Sequence, residues 1–234
     1  MKSYNSKVTE EGIIPSLSID CVIFGFENAE LKVLLIRRAQ EPEFGKWALP
    51  GGFVLEDEDL DQSARRILEE LTGVSNLYME QVHTFGELKR FPLRRVITIA
   101  YYALVKPEAY QLKPGPLATE VKWCNINTLP ELPFDHKDIF DTSLQKLRRK
   151  VRYEPIGFEL LPEKFTLTEI QQLYEATLLK KLDKRNFRKK LLKMNLLLPL
   201  DEIQQNVAHR AARLYSFDPA IYHSLKEKGF HFEI

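Results

Sequence analysis

Cysteine is scarce in this sequence: Cys21 and Cys124 are the only two among 234 residues. Two thiols exclude a disulfide framework and a cysteine-based zinc site, and they predict two reduced side chains in a core. Long apolar runs are missing as well. No stretch approaches the ~18 residues that would cross a bilayer, and the opening MKSYNSKVTEEG lacks the apolar centre of a secretory leader. The expectation is a cytoplasmic protein without a membrane partner. An excess of one charge is also lacking, since 34 Lys+Arg face 33 Asp+Glu for a net +1. Taken whole, that balance speaks against a strongly basic nucleic-acid binder. Internal repeats and low-complexity segments are absent. What remains is 44% hydrophobic and 29% charged, enough for a packed core, and the length suits one large domain or two ordinary ones.

The chain changes texture near residue 155. Residues 17–126 read as strands and turns around one strong helix, and residues 165–194 as two consecutive helices. Asp135–Arg152 reads as a basic-ended helix, and Glu154–Lys164, with Pro155 and Pro162, as a linker. The predicted domains are therefore residues 1–155 and 156–234. Charge divides at the same place: from Ile156 onward 13 basic residues face 10 acidic ones, against 21 and 23 before it. Lys180–Lys193 alone holds eight basic residues and one acid. The neutral average conceals a concentrated basic segment.

In the first part, Ser18–Phe26 and Leu31–Arg37 are β-branched apolar runs, joined at Glu27–Glu30 as a hairpin. Val96–Val105 and Glu120–Cys124 read as further strands. Gln62–Leu71 reads as a helix with Leu60, Ala64, Leu68 and Leu71 on one stripe, capped by Asp59 or Asp61. A mixed sheet covered by helices, an α/β/α sandwich, follows. His83 has no partner at ligand spacing and reads as structural, and Arg94–Arg95 read as strand-end charges.

Gly51–Val74 is GGFVLEDEDLDQSARRILEELTGV, preceded by KWALP at Lys46–Pro50. Aligned on Gly52, it places Glu58, Arg66, Leu68, Glu70, Gly73 and Val74 where the Nudix box has its signature residues. It thus resembles the Nudix hydrolases over most of residues 17–150. In active members three helix glutamates hold Mg²⁺, which clamps a diphosphate and polarises the attacking water. Here those positions are Ile67, Glu70 and Leu71. The resemblance therefore implies a Nudix fold without hydrolase activity, with no catalytic residue, metal or cofactor to assign. Glu70 reads as an ion-pair partner of Arg66. The acidic run Glu56, Asp57, Glu58, Asp59 and Asp61 reads as a solvated loop and helix start.

A fold can keep its cleft after losing its chemistry. Arg37, Arg38, Phe44, Lys46 and Trp47 lie near the expected mouth of that cleft, and Asp135 and His136 follow a proline-containing loop. Guanidinium, carboxylate and aromatic faces together suit a neutral polyhydroxylated effector.

In the second part, Thr166 with Glu169 fits a capping box before the helix Phe165–Leu178. Leu179–Leu182 is a short turn, and Asp183 caps a second helix, KRNFRKKLLKM. Phe187, Leu191 and Met194 form its apolar stripe; Arg185, Arg188, Lys189 and Lys193 lie on the opposite half. An exposed basic face on a second helix is what a major-groove reader needs. Arg185 can fork to guanine and Asn186 pair with adenine, while Lys184 and the other lysines suit phosphates. Thr166 and Thr168 at the start of the first helix join the candidate DNA contacts. Leu196–Ile203 and Arg213–Phe217 read as a wing, with His209 and Arg210 at its tip. Asp218–Pro219 opens a last short helix that Gly229 stops.

A Nudix-like domain followed by a winged helix resembles the Nudix-related transcriptional regulators of the NrtR group. The resemblance spans nearly the whole chain. It implies a homodimeric repressor on a palindromic double-stranded operator, released by a small metabolite. NrtR proteins sense ADP-ribose-type nucleotides; a related arabinose-responsive branch, AraR, senses L-arabinose. Loss of two metal-binding glutamates favours a neutral sugar, so L-arabinose is the first expectation and ADP-ribose the alternative. A Nudix pyrophosphohydrolase with an accessory domain, and a non-catalytic scaffold whose basic helix meets RNA or protein, are readings from other classes.

Overall fold

A computed structural model describes residues 13–75, 77–205 and 211–234. Two compact units emerge: one extends to Gly25 and then from Lys32 to Leu144, and the other comprises Phe26–Leu31 with Gln145–Ile234.

The first unit is built on a seven-stranded mixed sheet. Strand β1 (Ile13–Glu27) turns through Asn28 and Ala29 into β2 (Glu30–Arg38). Both turn residues have positive φ, 54° and 61°, the backbone that matches the twist of a two-residue hairpin. β1 runs parallel to β6 (Ile97–Val105) and antiparallel to β4 (Gly51–Leu55). β2 pairs with the two-residue β3 (Trp47–Ala48) and with β7 (Ala118–Asn125). β5 (Glu80–Phe85) closes one edge against β6.

Side chains alternate across the sheet. Ile19, Cys21 and Ile23 face helix α1 (Leu60–Thr72), where Ala64, Ile67, Leu68 and Leu71 complete the main core. On the other face the Phe24 ring meets Phe140 at 6.0 Å. Phe140 belongs to helix α2 (His136–Tyr153), whose Ile139 is also buried. The α/β/α sandwich is present. Cys21 and Cys124 are free and buried, and burial pushes the Cys21 thiol up.

The second unit contains α3 (Leu167–Leu178), α4 (Lys184–Lys193), the antiparallel pair β8 (Leu197–Ile203) and β9 (Arg213–Phe217), and α5 (Pro219–Glu227). Phe165 bridges to Tyr215 at the base of the wing. Helix, turn, helix and wing follow in the expected order.

The segment expected as a linker differs. Pro155–Leu160 forms a 3-10 helix, and Phe158, Leu160 and Leu161 are buried. The Phe158 ring stacks on Phe217 at 4.3 Å. The prolines suggested a break; the apolar residues between them instead fill the core of the winged-helix unit. Among the described residues, no helix is long and apolar enough to cross a membrane.

Candidate functional site

Asp59 caps α1 in a reciprocal box with Gln62. One side chain then organises the motif. Arg66 Nε donates to Glu58 Oε1, its Nη2 donates to Glu58 Oε2 at 2.9 Å and to the Phe53 carbonyl at 3.0 Å, and its Nη1 reaches Glu70 at 3.3 Å. The Arg66 guanidinium, helped by Ser63, holds the Glu58 carboxyl below its ordinary range. Glu70 is the ion-pair partner expected of it. Ile67 and Leu71 are 2% and 4% exposed and belong to the core. These residues do not fit a Mg²⁺ ion, which demands several oxygen ligands in near-octahedral array: two positions are buried hydrocarbon and the third carboxylate engages Arg66.

The acidic run is also committed locally. Asp59 is the cap, and Asp61 accepts from Tyr101 Oη at 2.7 Å. Burial, with Asp61 beside it, pushes the Tyr101 hydroxyl up to about 12. Glu56 and Asp57 are exposed in the preceding turn.

The seven expected effector residues separate into two groups. Arg37 donates to the Gly45 carbonyl at 3.0 Å and pairs with Glu120. Lys46 pairs with Glu43 at 2.6 Å, and this hydrogen bond raises its pKa. Trp47 lies under Lys122 Nζ at 3.9 Å, and Phe44 is exposed. Arg38, Asp135 and His136 form the second group. The Arg38 guanidinium sits 5.2 Å over the Phe134 ring, which meets His136 edge-on at 5.4 Å. His136 is buried, and its Nδ1 accepts from the Leu49 N–H at 3.0 Å. Burial holds its pKa down against the pull of Asp20 and Asp135, with Arg38 and Arg90 adding to the lowering.

Sequence reasoning missed the centre of this second group. Arg90 is buried and bonds Asp135 twice at 2.7 Å, from Nε and Nη2. Its Nη2 also reaches Asp20 Oδ2 at 3.2 Å, and Thr98 Oγ1 donates to the same oxygen at 2.8 Å. Burial opposes the charge on Arg90, but Asp135 and Asp20 outweigh it and raise its pKa. A Cβ at Gly51 would collide with Asp20 Oδ1, so glycine there leaves room for the cluster. Asp20 alone carried a signal: a carboxylate inside the apolar run SIDCVIFGF requires a buried partner.

In the second unit, Thr166 and Glu169 form the capping box of α3, so buried Thr166 is committed to the cap. Glu175 shapes the turn: it accepts from the Leu182 N–H at 3.0 Å, from Gln171 and from Lys181. Those bonds, the Leu182 amide first, lower its pKa. Asp183 caps α4 by accepting from Asn186 N. Phe187 and Leu191 are buried, whereas Lys184, Arg185, Asn186, Lys189 and Lys193 are exposed. Arg188 is half-buried and donates to Thr168 Oγ1 at 2.8 Å, which ties α4 to the start of α3. His209 and Arg210 lie outside the described residues. Gln204 N–H bonds the Ala212 carbonyl at 2.9 Å just below that tip.

A sandwich with a Nudix motif, carrying a winged helix with a basic second helix, defines a class of effector-linked DNA-binding proteins. A family model described as NUDIX domain matches residues 15–143, and one described as NrtR DNA-binding winged helix domain matches residues 157–217. The chain is 34% identical over 222 residues to the ADPR responsive transcriptional repressor NtrR of Acinetobacter baylyi, covering 93% of this chain and 86% of that one. It is similar to Shewanella oneidensis NrtR solved with a 27mer DNA, with a TM-score of 0.72 and 30% identity over 92% of this chain and 97% of that one. The NUDIX domain of the same Shewanella protein, solved with ADP ribose, aligns with a TM-score of 0.52 and 34% identity over 62% of this chain and 94% of that one. The chain belongs to the NrtR family of Nudix-related regulators.

Proposed function

We propose that this protein is a transcriptional repressor that ADP-ribose releases from its operator. The observation that carries the DNA-binding half is the α4 face. Asp183 caps the helix, Phe187 and Leu191 anchor it, and Lys184, Arg185, Asn186, Lys189 and Lys193 are left to solvent. Such a helix enters a major groove with its N-terminal residues on base edges and its lysines on phosphates. Two copies in a homodimer would read a palindromic site.

ADP-ribose replaces L-arabinose as the effector in this reading. The support is the full-length similarity to a repressor described as ADPR responsive and the likeness to a NUDIX domain solved with ADP ribose. Loss of the helix glutamates had favoured a neutral sugar, but that loss bears on catalysis and metal binding, and it does not remove a nucleotide cleft. The Nudix-fold unit binds without hydrolysing. Ile67 and Leu71 in the core, and Glu70 on Arg66, support this.

For release, ADP-ribose must bind the DNA-incompetent state more tightly; equal affinity for both states shifts nothing. The test is operator selection from random duplexes, followed by gel-shift titration with ADP-ribose and with L-arabinose. ADP-ribose should dissociate the complex and arabinose should not. Failure to select any duplex, or release by arabinose alone, overturns the proposal. Mg²⁺-dependent release of AMP from ADP-ribose would instead favour the hydrolase.

A further inference from the structure

Helix α4 carries three large apolar side chains, and they do not share a face. Phe187 and Leu191 are 6% and 0% exposed, and the Phe187 ring meets Tyr174 of α3 at 5.6 Å. Leu192 is 42% exposed. At about 100° per residue, Leu192 projects about 20° from Arg185 and about 60° from Lys189, but about 100° or more from both anchors. Arg185 and Lys189 are exposed as well. One outward stripe therefore runs Arg185, Lys189, Leu192. Its rotation is fixed from both flanks: Phe187 and Leu191 are buried on one, and on the other Arg188 Nη2 donates to Thr168 Oγ1 of α3 at 2.8 Å.

An exposed leucine between cations calls for a particular occupant. A second copy of this face would set like charge against like. A duplex offers the opposite charge on its phosphates, and in the major groove each thymine adds a hydrocarbon group, its 5-methyl. Leucine has no donor or acceptor in its side chain, so the methyl is the group on a base edge that suits it. Seven residues of helix span about 10.5 Å, roughly three base-pair steps of ~3.4 Å. We propose that Leu192 reads a thymine through its 5-methyl group, about three base pairs from the base that Arg185 meets. The inference rests on the reading of α4 as the helix that enters the groove, and it adds a base preference that hydrogen bonds do not supply.

The test uses the full chain and the operator selected from random duplexes. Single thymines are replaced by deoxyuridine, which removes one methyl and leaves the pairing intact. On gel shifts the unaltered chain should lose about fourfold in affinity at one position of each half-site, the factor that one buried methyl carries. Leu192→Ala should bind the thymine and deoxyuridine duplexes equally. A merely structural leucine would weaken both and leave their ratio unchanged. Leu198→Ala, which truncates an equally exposed leucine (41%) on β8, should discriminate as the unaltered chain does. Affinity of the unaltered chain within twofold on every substituted duplex overturns the inference. So does full discrimination by Leu192→Ala, or its loss in Leu198→Ala as well. If the unaltered chain selects no duplex, the DNA-binding reading fails and this inference falls with it.

Discussion

Arg90 and Asp135 form a two-pronged ion pair, Nε to Oδ2 and Nη2 to Oδ1, both at 2.7 Å and largely shielded from water. Asp20 lies on the same guanidinium from the β1 side. Deleting Arg90 would leave two buried carboxylates without their cation. Removing one partner of a buried pair typically costs ~3–5 kcal/mol, because the remaining charge is stranded. Arg90→Ala should therefore lower the urea midpoint of the first unit's unfolding by a matching amount. An unfolding free energy within ~0.5 kcal/mol of the unaltered protein's, the usual range of a surface change, would show that the clamp contributes nothing.

His136 supplies a pH dependence whose sign follows from its burial. Its folded pKa lies below the ordinary value of 6.5, with burial the leading cause. The Leu49 N–H bonded to Nδ1 also requires a lone pair there. The unfolded chain then binds a proton that the folded chain does not. Stability is complete above the unfolded pKa and falls as pH drops below it, at up to ~1.4 kcal/mol per pH unit for one proton. Below the depressed folded pKa the loss levels off. His136→Gln, whose amide oxygen can accept from Leu49, should lack this component. The slopes of stability against pH just below 6.5 should differ between the two proteins; parallel slopes would refute the assignment.

Ile67→Glu with Leu71→Glu restores the letters of the metal site without restoring the site. Both side chains are buried in the sandwich core, and a Cβ at Gly52 would already lie 3.2 Å from Ile67. Placing two carboxylates there costs several kcal/mol, on the order of the penalty for uncompensated buried charge. The double variant should unfold at markedly lower temperature and release no AMP from ADP-ribose with Mg²⁺. A variant as stable as the unaltered chain, with Mg²⁺-dependent turnover, would show that only the glutamates had been missing.

Much of this architecture was legible because it is local. The capping box of Thr166 and Glu169, the Asp183 cap and the Asp59 cap each depend on residues three apart, and all three are present. The alternating burial of Ile19, Cys21 and Ile23 follows from strand periodicity. The Arg90 clamp was not legible. Its partners lie 70 and 45 residues away, and only tertiary pairing decides which arginine of the loop turns inward. β5 was missed because EQVHTF is an edge strand with little apolar alternation. The linker reading failed for a related reason: prolines mark a break in regular structure, but burial of Phe158 depends on Phe217, far along the chain.

Arg185 and Lys193 provide the sharpest division of labour on the DNA face. Both are exposed on α4, but Arg185 is its second residue and Lys193 its last. The N-terminal end of a recognition helix meets base edges, whereas a lysine at the far end suits the phosphate backbone. Arg185→Ala should cost ~1–3 kcal/mol on the selected operator and relax preference at one base pair. Lys193→Ala should weaken selected and random duplexes alike and reduce the salt slope by about one unit. Arg188 should follow neither pattern. Its bond to Thr168 joins the two helices, so Arg188→Ala should lower the melting temperature of the winged-helix unit as well as DNA affinity. Gel shifts across a salt series, with single-base operator variants, read all three. Uniform loss from Arg185→Ala, with preference intact, would move that residue from the base edge to the backbone.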